Sequence, residues 1–192
     1  AKLDGAINFT ASHNPAEYNG IKIKTASGGA AGVEVTDEVE RLMRKPLTHK
    51  GKKGLVKKAD LTKGYIKFLR GYIDLKKLKH AKFKVLVDAM HGSGNGFIAE
   101  VLAGTGIKLE FLRSDINPSF GGLRPEPVLE NLGPTIERMK KESFDLGLVL
   151  DGDADRIAAF AGKGEFIPPQ KILGLLALHL FQDRGMNGGV VK

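Results

Sequence analysis

The 192-residue sequence has no cysteine. That absence removes disulfides, thiolate metal ligands and thiol nucleophiles together, and fits a reducing, cytoplasmic setting. No run of about 18 apolar residues occurs, so a membrane-spanning helix is not expected. The opening Ala1-Lys2-Leu3-Asp4-Gly5 lacks an initiator Met, a basic leader and an apolar h-region. It is expected to be a chain entered in mid-sequence rather than a signal peptide. Acids are nearly missing from one stretch. Residues 41–84 hold 16 Lys and Arg against Asp60 and Asp74 alone, a balance of +14, whereas 1–40 and 85–192 each stand at −3. The net charge of +8 is therefore the property of one segment, which reads most simply as a solvated lysine-rich face. A nucleic-acid site would interleave aromatics or arginines with those lysines. Tyr65, Phe68 and Tyr72 are present, but their helical spacing suggests core.

What remains is ordinary for a soluble globular chain: 42% hydrophobic and 27% charged residues. The length suffices for one domain, or for a small domain plus part of another. Residues 5–10 and 21–24 read as short strands, the latter alternating apolar and polar. Thr36 is placed to cap a helix through Arg44, with Asp37 and Glu38 in its first turn and Pro46 beyond its end. Residues 46–59 are basic and unperiodic, a surface loop. Asp60 is placed to cap a helix whose Leu61, Tyr65, Phe68, Leu69 and Tyr72 share one face, and a basic linker, 76–84, follows.

From residue 83 the pattern changes to alternating strands and helices. Apolar runs at 83–89 and 144–150 read as buried strands, with further strands at 107–112 and 157–161. Helices are expected over 97–103, 134–142 and 168–182, Pro134 and Pro168-Pro169 marking two of their starts. Residues 162–165 form a turn, and 188–192 look like a strand just begun. The order implies an α/β protein with open, mixed to mostly parallel sheets and helices on both faces.

Three short motifs could carry chemistry. Asp151-Gly-Asp-Ala-Asp-Arg156 follows a buried strand, and carboxylates at i, i+2 and i+4 in a loop can converge on a hard cation. Unpaired, they would repel one another, and a divalent ion, Mg²⁺ first, compensates them. An EF-hand fails on Arg156, where its sixth position needs Gly, and on Gly162, where its twelfth needs Glu. A merely solvated acidic turn is the bland alternative. Thr10-Ala-Ser-His-Asn-Pro15 displays Ser12 on a turn beside His13, either a nucleophile or phosphate acceptor or an ordinary surface turn. Gly92-Ser-Gly-Asn-Gly96 opens a helix after a strand. It lacks the Gly-x-Gly-x-x-Gly spacing of a dinucleotide site and reads better as a tight turn.

Taken together and in this order, Thr10-Ala-Ser-His-Asn-Pro15, Tyr18-Asn-Gly-Ile-Lys22 and Asp151-Gly-Asp-Ala-Asp-Arg156 closely resemble the α-D-phosphohexomutase family. Its members include phosphoglucomutase/phosphomannomutase and phosphoglucosamine mutase. The loop Asn117-Pro-Ser-Phe-Gly-Gly-Leu-Arg-Pro-Glu-Pro127 with Glu130-Asn-Leu132 resembles the family's second domain. The resemblance implies two units of a four-domain enzyme. Residues 1–80 would be the C-terminal part of domain one with its phosphoserine loop, 81–187 domain two with its metal loop, and 188–192 the start of domain three.

By the same resemblance, Ser12 is carried as phosphoserine and completes a Mg²⁺ site with Asp151, Asp153 and Asp155. Lys22 matches the family's general acid/base, and His13 and Arg156 match positions that contact the phosphoserine or the substrate. The implied activity moves phosphate between O1 and O6 of a hexose phosphate through a hexose 1,6-bisphosphate, with these residues alone expected to be inactive. Arg124-Pro-Glu-Pro127 leans toward phosphoglucomutase/phosphomannomutase over phosphoglucosamine mutase. A Mg²⁺-dependent phosphatase with an aspartyl nucleophile would want Asp-x-Asp-x-Thr, which Ala154 and Arg156 do not supply. From another class, the rival is a basic nucleic-acid-binding module built on 41–84. No specific nucleic acid and no membrane partner are expected, and oligomeric state is left open.

Overall fold

The computed structural model describes residues 3–46 and 54–191. Residues 47–53, inside the loop expected over 46–59, lie outside the described residues, as do Ala1, Lys2 and Lys192. The chain divides into two compact units: Ala1–Ala11 with Tyr18–Lys63, and Ser12–Glu17 with Gly64–Lys192.

The first unit carries β1 (Gly5–Phe9) and β2 (Ile21–Thr25), paired antiparallel with Ile7 opposite Ile23. Thr10 N donates to Gly20 O at 3.0 Å and continues that ladder. None of this unit's described residues is buried, so its strands are held by backbone pairing rather than by a core. Helix α1 (Val33–Met43) begins a turn earlier than Thr36 would set it. Gly32 takes the N-cap position, and Thr36 Oγ1 donates to Val33 O at 2.9 Å instead of accepting from the first turn. Asp60 does act as anticipated: its Oδ1 accepts from Thr62 N at 2.9 Å as α2 (Thr62–Tyr72) starts.

The second unit is built on a five-stranded sheet in the order β4-β3-β5-β6-β7. Its strands are β3 (Lys84–Asp88), β4 (Lys108–Leu112), β5 (Leu146–Leu150), β6 (Ile157–Ala161) and β7 (Glu165–Ile167). The pairs β3–β4 and β3–β5 are parallel, whereas β5–β6 and β6–β7 are antiparallel. The connections explain the mixture. Helices α4 (Phe97–Val101) and α5 (Gly133–Lys141) separate the parallel strands. Only residues 151–156 join β5 to β6, and only 162–164 join β6 to β7, too few for a crossover. Strand β7 starts at Glu165, which the sequence alone assigns to a turn.

Strand β3 is the centre of the parallel part, and its Val85, Leu86 and Val87 are all buried. Leu86, Met90, Val149 and Phe160 meet Leu132, Met139 and Phe144 in the core. Between β3 and β5 the strand order reverses, so the carboxyl ends of these two neighbours form a switch point, where open α/β sheets bind ligands. The glycine turn leaves one of those ends and the acidic turn leaves the other.

Helix α2 does not behave as its apolar spacing suggested. Ile66 is its buried residue, while Tyr65, Phe68 and Tyr72 are exposed. Within the expected basic linker there is one helical turn, α3 (Leu75–Leu78), capped by Asp74. Part of the basic segment is structural. Arg70 Nη1 donates to the carbonyls of Glu100, Val101 and Ala103 at the end of α4, and Lys84 pairs with Glu110 at 2.9 Å. Helix α6 (Pro169–Leu178) runs into a wider turn over His179–Asp183, and residues 188–191 form no strand. No helix among the described residues is long and apolar enough to cross a membrane.

Candidate functional site

The acidic turn is shaped by its own backbone. Asp151 N donates to Arg156 O at 3.3 Å, and Arg156 N donates to Asp151 Oδ1 at 2.9 Å. Ala154 N donates to Asp151 O at 3.1 Å, and Ala154 itself sits in the left-handed region at φ 61°. Closing the turn this way lets Asp151, Asp153 and Asp155 bring one carboxylate oxygen each within 4.8 Å of one another.

Asp151 is fully buried, and its Oδ2 has no hydrogen-bond partner. Burial pushes its carboxyl up to about 6, with the charges of Asp155 and Asp153 adding to the rise and the Arg156 amide opposing it. A buried carboxylate oxygen with no partner is costly unless something cationic faces it. Three hard oxygen donors around such an atom suit a small divalent ion. The three aspartates could therefore hold a metal.

Two glycines of the run after β3 let that loop lie directly against the acidic turn. A Cβ at Gly92 would stand 2.6 Å from Gly152 O, and one at Gly94 would stand 2.6 Å from Leu150 Cδ1. Ser93 N donates to Gly152 O at 3.0 Å. Gly92 and Gly94 thus serve close packing at the switch point, whereas Gly96, at φ 81°, turns the chain into α4.

The serine turn, Ser12–Glu17, belongs to the same unit. Ser12 adopts φ 58°, a conformation that costs a non-glycine residue of order 1 kcal/mol and recurs at functional sites. Its Oγ lies 3.3 Å from His13 Nδ1. Its carbonyl oxygen would lie 2.7 Å from a Cβ at Gly152. Ser12, His13, Asp151, Asp153, Asp155 and Arg156 are accordingly all borne by the second unit. Lys22 is on β2 in the first.

The sequence marks 117–127 only as a loop resembling the family's, and this loop supplies a further residue. Gly152 N donates to Pro125 O at 3.0 Å. Glu126 Oε1 lies 3.3 Å from Arg156 Nη1 and 3.7 Å from His13 Nε2. The only local signal is an acid set between two prolines. The loop is held from behind by Asp88, buried at the end of β3. Arg113 donates to it through Nε at 2.9 Å and through Nη2, and Thr135 Oγ1 also donates to it. Arg113 Nη1 reaches Asn131 O at 3.3 Å, and Asn131 Nδ2 donates to Glu126 O at 3.0 Å. His91, at φ 59°, lies 3.0 Å through Nδ1 from Asp115 Oδ1 and passes beneath Gly121.

Comparison with known proteins finds two successive matches along the chain. Residues 63–164 match the family described as phosphoglucomutase/phosphomannomutase, alpha/beta/alpha domain II, and residues 1–50 match its domain I. A phosphoglucomutase/phosphomannomutase of Thermococcus kodakarensis is 33% identical over 98% of this chain and 41% of its own length. A phosphoglucosamine/phosphogalactosamine mutase of Sulfurisphaera tokodaii is 32% identical over 84% of this chain and 36% of its own. Among solved structures, a Thermus thermophilus protein assigned as a phosphomannomutase superposes with a TM-score of 0.86. It has 34% identity over 95% of this chain and 42% of that one. The chain thus spans about two fifths of the length of these relatives.

Proposed function

The chain belongs to the phosphoglucomutase/phosphomannomutase family, and from that premise we propose that it carries the phosphoserine and metal half of a phosphosugar mutase. The observation behind this reading is the seating of Ser12 against the acidic turn, its carbonyl over Gly152 between Asp151 and Asp153. A nucleophilic hydroxyl and a three-carboxylate cradle on one compact unit are what phosphoryl transfer from a serine requires.

The residues take these roles. Ser12 Oγ bears the phosphoryl group. As a hexose-phosphate hydroxyl attacks, its O–P bond forms and the Ser12 Oγ–P bond breaks. The hexose 1,6-bisphosphate so made turns round and returns its other phosphoryl group to Ser12, and phosphate has moved between O1 and O6. Lys22 takes and returns the proton of the reacting hydroxyl. Asp151, Asp153 and Asp155 would hold Mg²⁺, which when bound offsets negative charge on the transferring group. His13 and Arg156 face that group as hydrogen-bond donors.

The substrate is a hexose phosphate of the glucose or mannose series, on the resemblance of Arg124-Pro-Glu-Pro127. The similarity to a mutase acting on amino-sugar phosphates keeps glucosamine phosphate as the second reading. In domain terms, 1–80, 81–187 and 188–192 correspond to the first, second and third domains of a four-domain enzyme working in the cytoplasm. Residues 1–192 alone are expected to turn over negligibly.

The test is ³¹P NMR of glucose 1-phosphate with the whole protein, a trace of glucose 1,6-bisphosphate and Mg²⁺. Conversion to glucose 6-phosphate that is lost in Ser12→Ala and in EDTA supports the reading. Conversion unaffected by Ser12→Ala contradicts it.

A further inference from the structure

One side chain touches basic residues of both functional turns and has no part in the transfer as described. Glu126 Oε1 is 3.3 Å from Arg156 Nη1 on the acidic turn and 3.7 Å from His13 Nε2 on the serine turn. Arg124 Nη2 stands 3.9 Å from the other oxygen, Oε2. We propose that Glu126 is a positioning residue: its carboxylate clamps His13 and Arg156 and so holds the serine turn in register with the acidic turn.

An exposed pair would carry little weight, because ordering two long side chains cancels most of the attraction. Glu126 differs in how its root is fixed. Pro125 on one side is fully buried and Pro127 on the other restricts the backbone. Pro125 O accepts from Gly152 N, and Glu126 O accepts from Val128 N at 2.8 Å and Asn131 Nδ2 at 3.0 Å. Asn131 is tied in turn to Arg113, the partner of buried Asp88. The Glu126 side chain, 22% exposed, therefore extends from a backbone anchored to the ends of β3 and β4.

The consequences are geometric. With Nη1 on Glu126, Arg156 keeps its other guanidinium donors for a phosphate. With Nε2 toward Glu126, the His13 ring turns Nδ1 toward Ser12 Oγ, as the 3.3 Å separation shows. Glu126 itself touches no reacting atom. What it positions follows from the mutase reading above; the clamp does not.

The experiment compares Glu126→Gln, Glu126→Asp, His13→Ala and the double variant His13→Ala/Glu126→Gln in the whole protein. Mutase kinetics use glucose 1-phosphate, and amide hydrogen exchange is followed at 12–17 and in β3. Glu126→Gln should lower kcat at least tenfold while leaving KM and the Mg²⁺ dependence within about twofold. Glu126→Asp should recover part of the loss. The double variant should lose clearly less than the product of the two single losses, since the His13–Glu126 contact is removed by both changes while the Arg156 contact is removed by only one. Exchange at 12–17 should quicken in Glu126→Gln with β3 unchanged. Multiplicative losses, or unaltered exchange at 12–17, would overturn the clamp. If the unsubstituted protein shows no mutase activity, the functional reading fails, and hydrogen exchange still decides the clamp.

Discussion

The carbonyl of Ser12 and Cα of Gly152 approach so closely that a Cβ at position 152 would lie 2.7 Å from the oxygen and 3.1 Å from Pro125 Cγ. Glycine is thus required in the acidic motif for contact rather than for backbone conformation. Gly152→Ala should push the serine turn away and destabilise the fold by about 1–3 kcal/mol, the usual cost of overpacking. Urea unfolding measures the second effect, and hydrogen exchange at 12–17 the first. A variant as stable as the parent, with unaltered exchange, would show that the contact does not matter.

Asp151 gives a pH dependence with a definite sign. Its folded carboxyl titrates near 6, above the ordinary 3.8, so the folded state holds that proton more tightly than the unfolded chain. Without metal, its contribution to stability is best below about pH 4, declines as pH rises to about 6, and is level above. A rise of that size corresponds to roughly 3 kcal/mol. Asp151→Asn should therefore be more stable than the parent in EDTA at pH 8. Mg²⁺ should raise the melting temperature of the parent at pH 8 and leave that of Asp151→Asn unchanged. Calorimetry in EDTA and in Mg²⁺ checks both.

Asp88 is buried and held by Arg113 and Thr135. Arg113→Met removes the cation and leaves the carboxylate inside, at a cost of about 3–5 kcal/mol. The double variant Asp88→Leu/Arg113→Met should lose less than Arg113→Met alone. Equilibrium denaturation of both variants tests this, and equal losses would place Asp88 outside the network.

The basic segment yields a negative expectation. Arg70 and Lys84 are engaged within the protein, and the exposed rings of the segment are already paired, Tyr65 with Phe97 and Phe68 with Tyr72. Retention of a random oligonucleotide should be weak, indifferent to sequence, and gone between about 50 and 200 mM salt. Tight, sequence-dependent binding at the higher salt would revive the nucleic-acid reading.

The sequence is most legible where burial imposes a run. Residues 83–89 and 144–150 contain β3 and β5, and Pro134 stands in the first turn of α5. It is least legible where partners lie far apart in the chain. Nothing near Gly152 announces that Ser12, 140 positions earlier, will cover it. Glu126 meets His13 and Arg156 only through the folded loop. The apolar spacing of Tyr65, Phe68 and Tyr72 marks one helix face but does not say what faces it. Thr36 and Gly32 are both reasonable caps for α1, and a difference of a few tenths of a kcal/mol decides such cases.

The central claim is that Ser12 accepts and donates phosphate beside the three aspartates. The direct measurement is mass analysis of the peptide bearing Ser12 after incubation of the whole protein with glucose 1,6-bisphosphate and Mg²⁺. One phosphoryl group on Ser12, discharged by excess hexose monophosphate and absent when Asp151, Asp153 and Asp155 are all replaced by Asn, is the result expected. A serine that stays unmodified, with phosphate elsewhere or nowhere, would contradict the account.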